Sequence, residues 1–132
     1  MWRTSSKNSN DLAENNVTLG TYSINTIIPQ TKTILFGDNV NFDYPSSGKL
    51  TVQLKDYNDN NLANKLVTFS SNSSDQNASP NTVYNVTTDS EGKASIIMNY
   101  NPVQYTVGVY YGGDELYEPV NATFAVSVGG TL

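Results

Sequence analysis

The feature that most constrains this chain is an alternation of apolar and polar side chains with a period of two residues between positions 49 and 128. Acidic and Asn-rich turns separate the alternating segments, of which the clearest are 49–55, the stretch ending at Phe69, 93–98, 105–111 and 122–128. This period is typical of half-buried β-strands, and short strands at this spacing indicate a sandwich. We therefore predict an all-β fold of about seven to nine antiparallel strands in two sheets.

The residues outside the clearly alternating segments predict the rest of the domain organisation. Residues 1–20 are polar and irregular, which predicts a flexible leader or linker, and residues 21–132 are predicted to form a single domain. Two short strands are expected between residues 21 and 36, another at 40–44 and a weaker one at 82–87. The polar stretch 70–81 is predicted to be the longest loop.

The alternation also assigns a hydrophobic core. In a sandwich, the apolar residues of the clear segments face inward, and burial of each contributes roughly 1.5–3 kcal/mol. The predicted inward residues are Leu50, Val52, Leu54, Val67, Phe69, Ala94, Ile96, Met98, Tyr105, Val107, Val109, Phe124, Val126 and Val128.

Composition excludes several classes of function. The chain has no cysteine and no histidine, so a Ser-His-Asp triad within it is impossible. The net charge is −5 with only seven basic residues, so the basic footprint that nucleic-acid binding requires is missing. No apolar run approaches the ~20 residues of a membrane span. We expect a domain that is not an enzyme, does not bind nucleic acid and does not insert into a membrane.

Three ordered motifs resemble a known family. They are LTVQLKD followed by NLANKLVTF within residues 50–70, VTTDSEGKASI starting at Val86, and YTVGVYYGGDELYE at 105–118. Together they are similar to the bacterial-type immunoglobulin-like repeats of prokaryotic surface proteins, especially those of adhesin-like proteins of methanogenic archaea. The resemblance covers residues 31–128.

The resemblance implies an immunoglobulin-like β-sandwich at the cell surface or in the cell wall. Such repeats usually act as non-catalytic spacers that support cell adhesion, with neighbouring domains of the parent chain as their partners. The alternative that it implies is an adhesive module for carbohydrate or a host protein. We expect such a module to use loop 70–81 and the turns at the same end.

The motifs carry local predictions. Residues 56–61 suit a hairpin turn with positive φ and side-chain-to-backbone hydrogen bonds. Gly92 is predicted at positive φ, and the Gly112-Gly113-Asp114 stretch permits a tight reversal. Tyr105, at the start of its strand, is predicted to bond an upstream backbone group through its hydroxyl, as in a tyrosine corner.

The acidic turns raise calcium as the one candidate cofactor. Asp56, Asp59, Asp114 and Glu115 supply oxygen ligands, but their spacing does not match an EF-hand loop and neither turn alone holds enough carboxylates. Ordinary turn chemistry is the competing interpretation of the same residues. A weak site between turns or between domains stays open.

Four tyrosines are candidate carbohydrate-binding residues. Tyr57, Tyr84, Tyr110 and Tyr117 offer rings to carbohydrate, although tyrosine is also a favoured strand residue.

Candidate N-glycosylation sites are the Asn-x-Ser/Thr triplets at Asn72, Asn85 and Asn121, with further triplets at Asn16 and Asn77. Some triplets arise by chance in a chain so rich in Asn and Thr, but glycans also suit a surface protein. Asn72 is the preferred acceptor because of its predicted place in the longest loop.

Overall fold

The structure is a computed structural model that describes residues 29–132. This part of the chain contains no helix, so none that could cross a membrane. Its eight strands are β1 (Thr33–Gly37), β2 (Val40–Asp43), β3 (Gly48–Asp56), β4 (Leu66–Asn72), β5 (Thr82–Thr87), β6 (Lys93–Met98), β7 (Gln104–Tyr111) and β8 (Val120–Gly129). The all-β prediction is confirmed. The leader predicted at 1–20 and the strand predicted before Pro29 lie outside the described residues.

Two sheets pack face to face as a β-sandwich. One has five strands in the order β2-β8-β7-β4-β5, and the other has three in the order β1-β3-β6. The prediction that all strands are antiparallel is wrong at one pair, because β2 runs parallel to β8 with Val40 opposite Val126. The chain keeps its direction when it passes from β1 in one sheet to β2 in the other. As a result, β2 lies beside β8 and runs in the same direction.

The core lies between the sheets. All fourteen residues that the alternation placed inward are buried, with Leu50, Val67 and Phe69 fully enclosed. Four further apolar or aromatic residues join them, namely Leu35, Leu62, Tyr100 and Tyr111. The prediction of the core is confirmed, and Leu62 and Tyr100 were missed because they lie in connections where no alternation marks them.

Strand β4 is longer than predicted. The polar residues Ser70, Ser71 and Asn72 were expected in a loop, but they continue β4, and the connection to β5 covers only 73–81. Ser71 is buried and pairs with Val107, so the ladder with β7 extends the strand despite its polar side chains. This corrects the predicted position of Asn72, which ends a strand.

The two ends of the sandwich differ in character. The end that we call the acidic end carries the connections 57–65, 88–92 and 112–119. These connections are tied together, since Asn64 N donates to Thr88 O at 3.0 Å and the Lys65 ammonium pairs with Asp114. The opposite end carries 44–47, 73–81 and 99–103. Loop 73–81 and the acidic turns therefore lie at different ends.

Candidate functional site

The Asp56 carboxylate organises the first acidic turn. Oδ1 accepts hydrogen bonds from Asn58 N and Asn60 N, both at 2.9 Å, and Oδ2 accepts from Asn60 Nδ2 at 3.1 Å. The bond from Asn60 N is the main cause that lowers the Asp56 pKa, against the opposing effect of burial. The predicted positive φ lies at Asp59. The expected hairpin forms only the single bridge between Lys55 and Asn61, after which the chain passes to the other sheet.

Asp114 organises the turn between β7 and β8. Its carboxylate accepts from Lys65 Nζ at 2.5 Å, from Leu116 N at 2.8 Å and from Tyr117 N at 3.0 Å. These bonds, that of Lys65 first, lower its pKa to about 2. The Lys65 ammonium also lies 5.2 Å from the centroid of the Tyr117 ring. The ion pair between Lys65 and Asp114 therefore joins the start of β4 to this turn.

The four calcium candidates do not converge. Asp59 pairs with Lys55 at 2.7 Å, and Glu115 is exposed to solvent beside Asp114. Within residues 29–132, no group of three acidic side chains could hold a metal ion. The carboxylates of Asp56 and Asp114 accept hydrogen bonds from the backbone of their own turns. This agrees with ordinary turn chemistry, the competing interpretation of these residues. Calcium binding between domains stays a prediction.

The four candidate tyrosines lie apart. Tyr57 is 66% exposed at the acidic end, and Tyr110 is 50% exposed on the solvent-facing side of the five-stranded sheet, which we call the outer face. Tyr84 is half-buried, with its hydroxyl 3.2 Å from that of Tyr100. Tyr117 is half-buried against Lys65. They form no shared aromatic surface, and only Tyr57 and Tyr110 offer an exposed ring.

Tyr110 stands between two glycines on the outer face. Gly108, Tyr110 and Gly112 are alternate residues that follow the period of the strand, so the ring has no neighbouring side chain along β7. Its ring lies over Gly112, where an added Cβ would sit 3.5 Å from Cε2. Thr68 of β4 and Asn121 of β8 are its cross-strand neighbours.

Shallow hollows adjoin Tyr110. One, of about 300 Å³, lies over Gly108 and is lined by Thr68, Ser70, Asn121 and Thr123, among others. The other, of about 420 Å³, opens toward the acidic end and includes Lys65, Tyr111 and Asp114. Hydroxyl, amide and charged groups thus surround one exposed ring.

Tyr111 lies beneath the second hollow. Its hydroxyl is buried and has no hydrogen-bond partner in the described part of the chain. Burial, and next the charge of Asp114, raises the pKa of Tyr111 to about 12, so the group is neutral at physiological pH. The sequence predicts only that Tyr111 packs at an end of the sandwich, and nothing local in it marks the hydroxyl as unpaired.

The candidate glycosylation sites are distributed over the outer face. Asn72, Asn85 and Asn121 are all exposed, and they lie in β4, β5 and β8 respectively. The Asn85 Oδ1 accepts a hydrogen bond from Thr68 Oγ1 at 2.8 Å. Asn85, Thr68, Tyr110 and Asn121 form one cross-strand row. The site at Asn16 lies outside the described residues.

No protein-family model matches the chain, and a search of curated proteins finds no match. The class that the fold defines is therefore a β-sandwich domain, and its function is inferred from its own residues.

Proposed function

We propose that this chain is an immunoglobulin-like domain that serves as a non-catalytic spacer in an adhesin-like protein of the cell surface. The strand arrangement supports the immunoglobulin-like assignment. Strands β1, β3 and β6 form one sheet, and β2, which follows β1 directly, lies at the edge of the other sheet beside the last strand, β8. The corner formed by Tyr105 is a second feature of that fold.

The observation that carries the spacer function is that the first and the last of the described residues lie at opposite ends of the sandwich. Thr31 N donates to Leu116 O at the acidic end. At the other end, Gly129 O accepts from Tyr44 N. The ten residues of β8 run between these ends, a span of roughly 30 Å at ~3.3 Å per residue. Domains joined in this way extend a chain end to end.

The parallel pair β2–β8 suits a domain under tension. Pulling the two ends apart draws β2 toward the acidic end and β8 away from it. The hydrogen bonds between them then bear the load together, in shear. Asn39 extends this ladder, because its Oδ1 accepts from Ala125 N at 2.9 Å.

Force spectroscopy on the 132-residue chain, held by its two termini, tests the spacer function. Since Tyr44 N bonds to β8, the alternate residue Val40 also directs its N–H toward β8, whereas the N–H of Asn41 points away from β8. We expect Val40→Pro to lower the unfolding force and Asn41→Pro to lower it much less. Equal forces for the wild type and Val40→Pro would count against load bearing by this pair.

The second candidate function is carbohydrate binding at the outer face. The exposed Tyr110 ring, with hydroxyl and amide groups around it, supports it, because an aromatic ring with nearby polar groups suits a sugar. A glycan array on the wild type, Tyr110→Ala and the control Tyr57→Ala tests this function. Binding that only Tyr110→Ala abolishes would favour it, and an array without signal would reject it for the glycans displayed.

A further inference from the structure

We propose that Asn121 is an N-glycan attachment site whose first sugar packs against Tyr110. The inference rests on the proposed extracellular location, since glycans are added to secreted and surface proteins. It specifies which asparagine carries the glycan and which side chain receives the sugar.

Register places the acceptor beside the ring. Asn121 lies directly opposite Tyr110 on the antiparallel neighbour β7, and Cβ atoms of such pairs are about 4.5–5.5 Å apart. Both side chains are on the outer face and exposed. The hydroxyl residue of the triplet, Thr123, lies opposite Gly108, where no side chain fills the surface. The sugar therefore has a ring on one side and open space on the other.

Asn121 is also less engaged than Asn85 and Asn77. The Asn85 amide oxygen accepts from Thr68 Oγ1, and the triplet of Asn77 has its Ser79 hydroxyl bonded by Asn101 N at 2.8 Å. In residues 29–132, neither Asn121 nor Thr123 makes a side-chain hydrogen bond. Among the described residues, no side-chain hydrogen bond competes with a glycosylating enzyme for either group.

The backbone around Asn121 also has few neighbours among the described residues. Within residues 29–132, β8 pairs with β2 only from Val126 onward, so near Asn121 its one sheet neighbour there is β7. Asn72, by comparison, ends β4 instead of lying in the longest loop, and its cross-strand neighbour is Thr106, which offers no aromatic ring. The preference for Asn72 that loop length suggested in the sequence therefore shifts to Asn121, which lies opposite Tyr110.

The modification requires a lipid-linked sugar donor and an oligosaccharyltransferase. The bond between sugar C1 and the phosphate oxygen of the donor breaks, and a bond forms between C1 and Asn121 Nδ2. The amide nitrogen loses one proton to water, and the lipid phosphate leaves with the electron pair of the broken bond.

The attached sugar occupies the hollow of about 300 Å³ beside Tyr110. Its C–H groups lie against the aromatic ring, and its hydroxyls reach Thr68 and Ser70, which line the same hollow. The glycan thereby covers the exposed part of Tyr110.

Secretion of the chain from a eukaryotic cell line tests the proposal. Peptide mass spectrometry gives the occupancy of each asparagine, and we expect Asn121 to be modified. Thermal unfolding is then measured in a background of Asn16→Gln, Asn72→Gln, Asn77→Gln and Asn85→Gln. We expect the Asn121 glycan to raise the midpoint by about 2–4 °C, a gain that Tyr110→Ala removes and Tyr57→Ala retains.

A second measurement reports the contact itself. The N-acetyl methyl protons of the first sugar should show an upfield ring-current shift in the NMR spectrum, which Tyr110→Ala removes. An unmodified Asn121, or a glycan whose stabilisation and shift survive Tyr110→Ala, overturns the proposal. Neither result bears on the spacer function, because force spectroscopy is carried out on unglycosylated protein.

Discussion

The phenolic hydroxyl of Tyr105 donates a hydrogen bond to the carbonyl oxygen of Asn101, four residues earlier, at 2.8 Å. The same hydroxyl accepts a bond from Ser79 N at 2.9 Å. It thus joins the start of β7 to the connection before it and to loop 73–81. The sequence prediction for Tyr105 is confirmed, and the contact with Ser79 adds a partner that the sequence did not indicate.

Tyr105→Phe should destabilise the domain by about 1–3 kcal/mol. The ring stays in the core, but the amide of Ser79 loses its acceptor and the carbonyl of Asn101 loses its donor. Urea unfolding followed by circular dichroism measures the change. Tyr110→Phe is the matched control, because that ring is half exposed, and it should change stability by less than about 0.5 kcal/mol. Equal effects of the two substitutions would show that the corner contributes nothing.

Thr88→Val should destabilise the domain although the threonine and valine side chains have nearly the same shape. Thr88 is buried, its Oγ1 donates to Leu62 O at 2.6 Å, and it accepts from Lys65 N at 2.9 Å. Valine leaves both backbone groups unpaired, at a cost of about 1–3 kcal/mol. The exposed neighbour Thr87 provides the control Thr87→Val, and chemical denaturation of both variants makes the comparison. A Thr88→Val protein as stable as Thr87→Val would contradict the role of this hydroxyl.

Gly92→Ala should be among the most destabilising single substitutions at the acidic end. Gly92 has φ +78°, as predicted for a glycine, and an added Cβ would lie 2.6 Å from Leu54 O. Left-handed backbone and this clash together should cost at least about 2 kcal/mol. Gly108→Ala is the control, since its nearest contact is at 4.0 Å. The thermal midpoints of the two variants should separate clearly, and similar midpoints would refute the steric argument.

Much of the fold could be predicted from the sequence because burial follows a local period. Leu50, Val52 and Leu54 alternate along one strand, and a sandwich buries such a face whatever lies opposite. The parallel pairing of β2 with β8 could not be predicted in this way. It depends on residues 86 positions apart, Val40 and Val126, and alternation carries no information on which strands become neighbours.

The contacts of the candidate site were less predictable, because they also join residues that are far apart in the sequence. The ion pair between Lys65 and Asp114 joins residues 49 apart, and nothing local in the sequence couples them. In contrast, the placement of Tyr110 between Gly108 and Gly112 on one face follows from the period of two residues. That signal was in the sequence, and it was missed because Gly112 was considered only as a turn residue and Gly108 was not considered separately from its strand.

The stability of the domain should fall in acid, partly through Asp114. Its pKa is about 2 in the folded chain against 3.8 for an ordinary aspartate, so the folded state binds this proton less readily than the unfolded state. The stabilisation is complete above pH 3.8 and is lost as the pH falls toward 2, and the lowered pKa values of Asp56 and Asp89 act in the same direction. Because the Asp114 side chain is 35% exposed, solvent screening limits its share to about 0.5–1 kcal/mol.

Asp114→Asn tests this contribution. Its amide oxygen can still accept from Leu116 N, but the charge that pairs with Lys65 is gone. We expect the difference in unfolding free energy between pH 7 and roughly pH 2.5, measured in urea, to be smaller in Asp114→Asn than in the wild type. The neighbouring exposed Glu115→Gln should retain the wild-type difference. If Asp114→Asn shows the same loss in acid as the wild type, the pH dependence arises from other carboxylates, with Asp56 and Asp89 the first to examine.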